Sequence, residues 1–175
     1  FGKVDVHKCP LFDAEYIFLR VRGKSVGDKV DLVATCPDDK ETKVNFTLDL
    51  NDIQVQMTDE HTNTVEINDE VKMVFNYPIL SSTTAYAKDQ RADIMFDVVR
   101  DCVSEIHFGG DIYNKVDMSN KELNDFIESL DTEQFTKVLN FFESMPKLRH
   151  VVEVTNPKTK VKSEILLEGL QNFLE

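Results

Sequence analysis

Thr35-Cys36-Pro37 and Thr155-Asn156-Pro157 are the residues from which metal chemistry would have to start. Each follows a short apolar run and opens a charged tip. A second apolar run comes after: Val44, Phe46, Leu48 and Leu50 in the first copy, Val161, Ile165 and Leu167 in the second. A Cys-Pro-x-Cys turn in such a place supplies two thiolates to a zinc ion, and a second turn supplies two more, completing a tetrahedron of soft or borderline ligands. Here Cys36 fills one such position, while the other three hold Asp39, Asn156 and Thr159. One thiolate among four positions does not hold zinc at useful affinity, so Cys36 reads as a vestigial ligand and the tips as plain hairpin turns. His7 and Cys9 are close enough to share a metal and to recruit Cys36, but two isolated side chains beside a proline are too few for a site. No metal or cofactor is expected.

Other chemistry is no better supported. The histidines His7, His61, His107 and His150 fall on different elements, and no nucleophile elbow, zinc-protease helix or phosphate-cradling glycine loop is present. Gly109-Gly110-Asp111 lacks the Lys and Ser/Thr of a P-loop and suits a turn between helices. Asp59-Glu60 and Asp69-Glu70 fall at turns without the residue order of a calcium loop. An acid–base hydrolase built from scattered carboxylates has no motif behind it. The chain reads as a non-enzyme. One basic cluster, Lys147, Arg149, Lys158, Lys160 and Lys162, stands out as a docking patch for an acidic partner or as a charged strand edge that discourages unwanted pairing.

The elements that carry these residues form a repeat. Val30 to Ile53 and Val151 to Phe173 both alternate apolar residues about a proline-marked tip, the pattern of a β-hairpin. Each follows an apolar helical segment, Leu11 to Arg22 and Thr132 to Ser144. The first is apolar on nearly all sides, which predicts a helix enclosed by its own domain and stopped at Gly23. Between the copies, Ile53 to Met57, Thr64 to Ile67 and Val71 to Phe75 predict strands. Residues 79–90 carry no period and predict a mobile connection. Met95, Val98, Val99, Cys102 and Ile106 line one face of a helix over Arg91 to Ile106, broken by Gly109-Gly110. Ser119-Asn120-Lys121-Glu122 and Asp131-Thr132-Glu133-Gln134 are capping boxes opening two further helices, and Pro146 ends the second. The expected class is α+β: two helix-then-hairpin units, with degenerate zinc-ribbon-like hairpins, and extra strands and a helical segment between them. At 175 residues the chain is expected to form a single domain or two closely packed lobes, about 1–78 and about 91–175.

Composition narrows the function classes. With 41% hydrophobic and 30% charged residues the chain is globular rather than disordered. Its formal net charge of −12 repels phosphate backbones and anionic lipid, which argues against nucleic-acid or membrane partners. No apolar run approaches the length of a membrane span. Three widely spaced cysteines, Cys9, Cys36 and Cys102, do not make a disulfide framework and suggest a reducing, intracellular setting. The start at Phe1, without a signal peptide, points to a chain beginning inside a longer protein.

The runs Leu11-Phe12-Asp13-Ala14-Glu15-Tyr16, Arg22-Gly23-Lys24-Ser25-Val26-Gly27, Thr35-Cys36-Pro37 and Leu130 to His150 resemble the baseplate proteins of T-even-like bacteriophages, a group that includes a hub subunit and a hub-assembly factor. Phe141 to His150 is the most specific part, and Leu167 to Phe173 also fits. Members of that family carry Cys-Pro-x-Cys pairs at the two tips, so this chain departs from the pattern at Asp39, Asn156 and Thr159. They also have a segment ahead of the position matching Phe1. The resemblance implies a structural or assembly protein of the central hub of a contractile-tail baseplate. Such a protein acts through contacts with other hub proteins and uses no small-molecule ligand. The implied location is the host cytoplasm during phage assembly, or the tail baseplate itself. The candidate partner-binding residues are Met145, Lys147, Leu148, Arg149 and His150, together with the exposed parts of the tips. The alternative is a small metal-binding regulatory or adaptor domain that uses Cys36 with His7 and Cys9.

Overall fold

The computed structural model describes residues 5–86 and 94–174. Its elements are α1 (Leu11–Val26), β1 (Lys29–Thr35), β2 (Lys43–Asp49), β3 (Gln54–Gln56), β4 (Thr64–Glu66), β5 (Val71–Phe75) and α2 (Leu80–Tyr86). They continue with α3 (Ile94–Cys102), β6 (Val103–Phe108), β7 (Asp111–Asn114), α4 (Asn120–Glu128), α5 (Thr132–Ser144), β8 (Lys147–Thr155) and β9 (Lys162–Glu168). The fold is α+β, all strand pairs are antiparallel, and no helix among the described residues is long and apolar enough to cross a membrane. The chain divides into two compact units that interleave along the sequence: residues 1–11 with 57–145, and residues 12–56 with 146–175.

The second of these units holds both predicted hairpins. β1 pairs with β2 from Lys29↔Asp49 to Thr35↔Lys43, and β8 pairs with β9 from Arg149↔Glu168 to Thr155↔Lys162; β3 adds to the outer side of β8. Alternation sends Val30, Leu32 and Leu48 inward to meet Leu19 of α1, Leu50, Ile53, Leu148, Leu167 and Phe173. Arg20 of α1 donates to the carbonyls of Leu50 (3.0 Å) and Ile53 (2.8 Å), tying the turn after β2 to the helix. α1 does not stop at Gly23 but continues through it to Val26. Gly23 is buried there, and a β-carbon would meet Asp28 Oδ1 at 3.0 Å, so the glycine serves close packing rather than a cap. Nor is α1 enclosed on all sides. Ala14, Leu19 and Gly23 are buried, while Phe18 and Val21 are 52% and 59% exposed.

The other unit is a four-stranded sheet, β4-β5-β6-β7, packed against helices. Its core joins Met73, Phe75, Val103 and Ile106 of the sheet to Val99 of α3, Leu123 and Ile127 of α4, and Val138 and Phe141 of α5. Both predicted capping boxes form, at Ser119/Glu122 and Asp131/Gln134, satisfying the N3 and cap N–H groups of α4 and α5 from within the sequence.

Residues 91–106 are not one helix, however. α3 ends at Cys102 and β6 begins at Val103. A β-bulge explains why the periodicity misleads: Phe75 pairs with Val103 and Val74 with Glu105, which leaves Ser104 without a partner. Val103 and Ile106, three apart, therefore both face the core, a spacing that imitates a helix. Gly109 and Gly110, with φ of 61° and 94°, make the two-residue turn of a β6–β7 hairpin rather than a break between helices. Ile79 forms a β-bridge with Pro10 and residues 80–86 form α2 rather than an irregular connection; residues 87–90, with the start of the predicted 91–106 helix, lie outside the described residues.

Candidate functional site

The two hairpin tips meet each other. In the first, Cys36 donates its N–H to the Thr42 carbonyl (2.8 Å) and accepts at its own carbonyl from Lys40 (2.9 Å). In the second, Asn156 donates to Val161 (2.9 Å) and accepts from Lys160 (2.9 Å). Lys40 and Lys160, each four residues after the opening position, both take left-handed φ values of 58° and 67°. The two loops thus share this opening turn, but the first is one residue longer, closing at Thr42 where the second closes at Val161. Cys36 and Asn156 are each 1% exposed.

The side chains at three of the four candidate ligand positions, Asp39, Asn156 and Thr159, are committed to hydrogen bonds. Asp39 accepts from the N–H groups of Glu41 (3.1 Å) and Thr42 (3.0 Å) and from the Thr42 hydroxyl (2.5 Å). Asn156 Oδ1 accepts in the same way from the N–H groups of Lys158 (2.8 Å) and Thr159 (3.2 Å). The link between the tips is Asp38. Its carboxylate accepts from Asn156 Nδ2 at 3.0 and 3.1 Å and from the Thr159 hydroxyl at 2.5 Å. These bonds favour the charged form, so Thr159 and then Asn156 hold the Asp38 carboxyl below its usual range, and the Thr42 hydroxyl and amide do the same for Asp39. Burial, with Asp38 and Asp39 adding to it, pushes the Cys36 thiol up and away from a metal-binding thiolate. Asn156 presents N–H donors, not a lone pair, to the centre of this cluster. Among the described residues no three His, Cys, Asp or Glu side chains form a metal-binding group. Cys9 and His7 belong to the other unit from Cys36.

The segment predicted to bind partners is placed unevenly. Met145 caps α5, its N–H donating to the Phe141 carbonyl (3.0 Å), and is half-buried. Leu148 is fully buried in the hairpin core. Lys147 and Arg149 reach the surface on one side of β8, where both contact Glu168, Lys147 Nζ at 3.2 Å and Arg149 Nε at 2.6 Å. Burial would raise the Glu168 carboxyl, but the bonds from Arg149 and Lys147 outweigh it and hold the group below its usual range. His150 is half-buried and pairs in register with Leu167. Lys162 pairs with Glu153 (2.9 Å), so Glu153 and Glu168 together engage three cations of the basic cluster, and the Lys160 ammonium donates to the Pro157 carbonyl (2.7 Å).

Two features escaped the sequence reading. His61 bridges elements of the sheet–helix unit: its Nδ1 lies 2.9 Å from Ser144 Oγ and its Nε2 3.0 Å from the Tyr77 hydroxyl, with the ring stacked on Tyr77. Ser144 Oγ donates to the Asn140 carbonyl (2.8 Å), which leaves it to accept from Nδ1–H, and Tyr77 then donates to Nε2. Desolvation lowers the His61 pKa and keeps it in this neutral form. Both ring nitrogens are used structurally, and a lone His sixteen residues from its nearest partner gives no sequence signal. The second feature is an apolar cleft of about 300 Å3 lined by Val71, Ile106, Phe108, Tyr113, Met118 and Phe126; it depends on the β6–β7 hairpin that the helical spacing concealed.

No curated protein and no solved structure matches the chain. A family model described as T4 bacteriophage base plate protein matches residues 1–175, the whole length, and the chain belongs to that family.

Proposed function

We propose that the chain is a structural or assembly protein of the central hub of a contractile-tail baseplate, acting through protein–protein contacts and not as an enzyme. The observation that carries this reading is the family match over the whole chain. The chemistry of the interior supports it. The groups best placed to react are engaged elsewhere: His61 at both nitrogens, Asn156 and Thr159 with Asp38, while burial pushes the Cys102 thiol up to about 12. What remains for function is surface shape and charge. Of the predicted contact residues, Lys147, Arg149 and His150 offer surface to a partner, and Leu148 acts by holding β8 in place.

Co-expression with the phage's other hub proteins, followed by sizing, tests the reading; a stable complex is expected, and no complex with any of them overturns it. The basic patch is tested in the same assay by the combined variant Lys147→Glu, Arg149→Glu and Glu168→Lys. Reversing all three charges keeps the local ion pairs while inverting the surface, so the variant is expected to melt like the natural chain yet lose partner recovery. Unchanged recovery removes the patch.

A further inference from the structure

We propose that β7 and the apolar cleft beside it form a docking edge for an extended segment of another tail protein, one with apolar residues at alternate positions and basic residues at its flanks. β7 is the last strand of its sheet, with β6 on one side and no strand on the other among the described residues. The two-residue Gly109-Gly110 turn makes Phe108–Asp111 a hydrogen-bonded pair. Antiparallel alternation then makes Ile106–Tyr113 the next such pair. The N–H and C=O groups of Ile112 and Asn114 consequently point outward from the sheet, as a template for one more strand.

The side chains say what such a strand carries. Register places Val71, Phe108, Ile106 and Tyr113 on the face that meets α4, and these residues with Met118 and Phe126 line the cleft. A strand about 4.8 Å beyond β7 would send every second side chain into that cleft. The mouth is apolar and wet: Phe108 is 48% exposed and Tyr113 45%. Four residues of β7 limit the ladder, so the cleft supplies most of the affinity, as anchors in pockets do at other interfaces. Charge selects the flanks. Asp111 stands at one end of the strand, with Asp69 and Glu70 across β6 at the same end of the sheet (the Gly109 N–H donates to the Glu70 carbonyl, 3.4 Å); Asp117 follows at the other end, in a chain of net charge −12. Lys115, the nearest cation in sequence, turns its ammonium to the Asp101 carbonyl (2.7 Å). Basic flanking residues are the complement, and they also disfavour a second copy of this acidic chain as the occupant.

Naming a tail protein as the source rests on the hub reading; the edge and its chemistry do not. The test uses the full chain and overlapping peptides tiled across the phage's other tail proteins, with binding followed by fluorescence anisotropy. The expected result is binding of peptides with apolar alternation and Lys or Arg flanks, weakened by salt. Ile112→Pro removes an outward N–H without touching the β6 ladder and is expected to weaken binding at least tenfold. Ile112→Ser alters only a side chain on the opposite face and is expected to leave binding within about twofold. Should Ile112→Pro fail to fold, Tyr113→Asp reads the cleft instead, with the same tenfold loss. The proposal is overturned if no peptide binds, if Tyr113→Asp binds as well as the natural chain, or if sedimentation shows the edge filled by a second copy. Failure of co-assembly with hub proteins, with peptide binding intact, would sink the hub reading and leave the edge standing. Normal co-assembly without any peptide response would do the reverse.

Discussion

The two hairpin tips open with the same turn but differ in length and in chemistry. Tip one opens with a buried thiol that makes no polar link to the other tip, and its carboxylates do the bonding: Asp39 closes its own loop and Asp38 reaches across. Tip two opens with a buried amide that does both jobs at once, closing its loop through Oδ1 and binding Asp38 through Nδ2. Cys36 is therefore a packing residue and Asn156 a linking one, although they occupy matching places. The tips are joined by one carboxylate, one amide and one hydroxyl, those of Asp38, Asn156 and Thr159. The general lesson is that different short polar side chains can hold similar turns when each satisfies the backbone groups of its own loop.

That contrast can be broken. Asn156→Ala strands two loop N–H groups at a site that is 1% exposed and leaves Asp38 only the Thr159 hydroxyl across the tips, and is expected to cost about 2 kcal/mol in a urea melt. Cys36→Ala removes only a small apolar group and is expected to cost about 1 kcal/mol. A larger loss for Cys36 than for Asn156 would reverse the roles assigned here.

Acid separates the tips from the other unit. Asp38 and Asp39 have folded pKa values below their ordinary 3.8, so their stabilisation is present above that value and lost as pH falls through and below it. His61 lies below its ordinary 6.5 because the fold holds it neutral; its stabilisation is present above 6.5 and lost as pH falls beneath that value. Amide protection factors are expected to decline around Ser144 between about pH 7 and 5, while those of Thr42 and Thr159 hold until about pH 4. A simultaneous loss at all three sites would contradict this.

The smallest effect concerns the left-handed lysines. Lys40→Gly is expected to stabilise the chain by a few tenths of a kcal/mol through relief of a positive φ. Lys160→Gly is expected to gain less, because the Lys160 ammonium also donates to the Pro157 carbonyl. Equal gains in thermal melts would show that this extra bond contributes nothing.

Local signals in the sequence carried much of this fold. Both hairpins, both capping boxes and the stop at Pro146 are visible because each depends on residues a few positions apart. What stayed hidden depends on distant partners. The strand Val103–Phe108 looked helical because the bulge opposite Val74 and Phe75 put its core residues three apart. Gly23 looked like a helix stop because the tight approach of Asp28 is invisible in composition. At the tips, Cys36, Asp39, Asn156 and Thr159 could be named from spacing. The linking residue, Asp38, could not, because its partners lie 118 and 121 positions away. The contact segment Met145 to His150 could be named too, but not that Leu148 is core and that Glu168 holds both Lys147 and Arg149.

In the proposed reading the two tips are joined by their own side chains, and the chain acts through surface shape and charge. The direct measurement is a thermal melt of the purified chain with EDTA and with added zinc. The account predicts the same midpoint in both, with the hairpins still folded in the chelator. A midpoint that falls by about 10 °C in EDTA, the size of shift a tightly bound ion would confer, would contradict it.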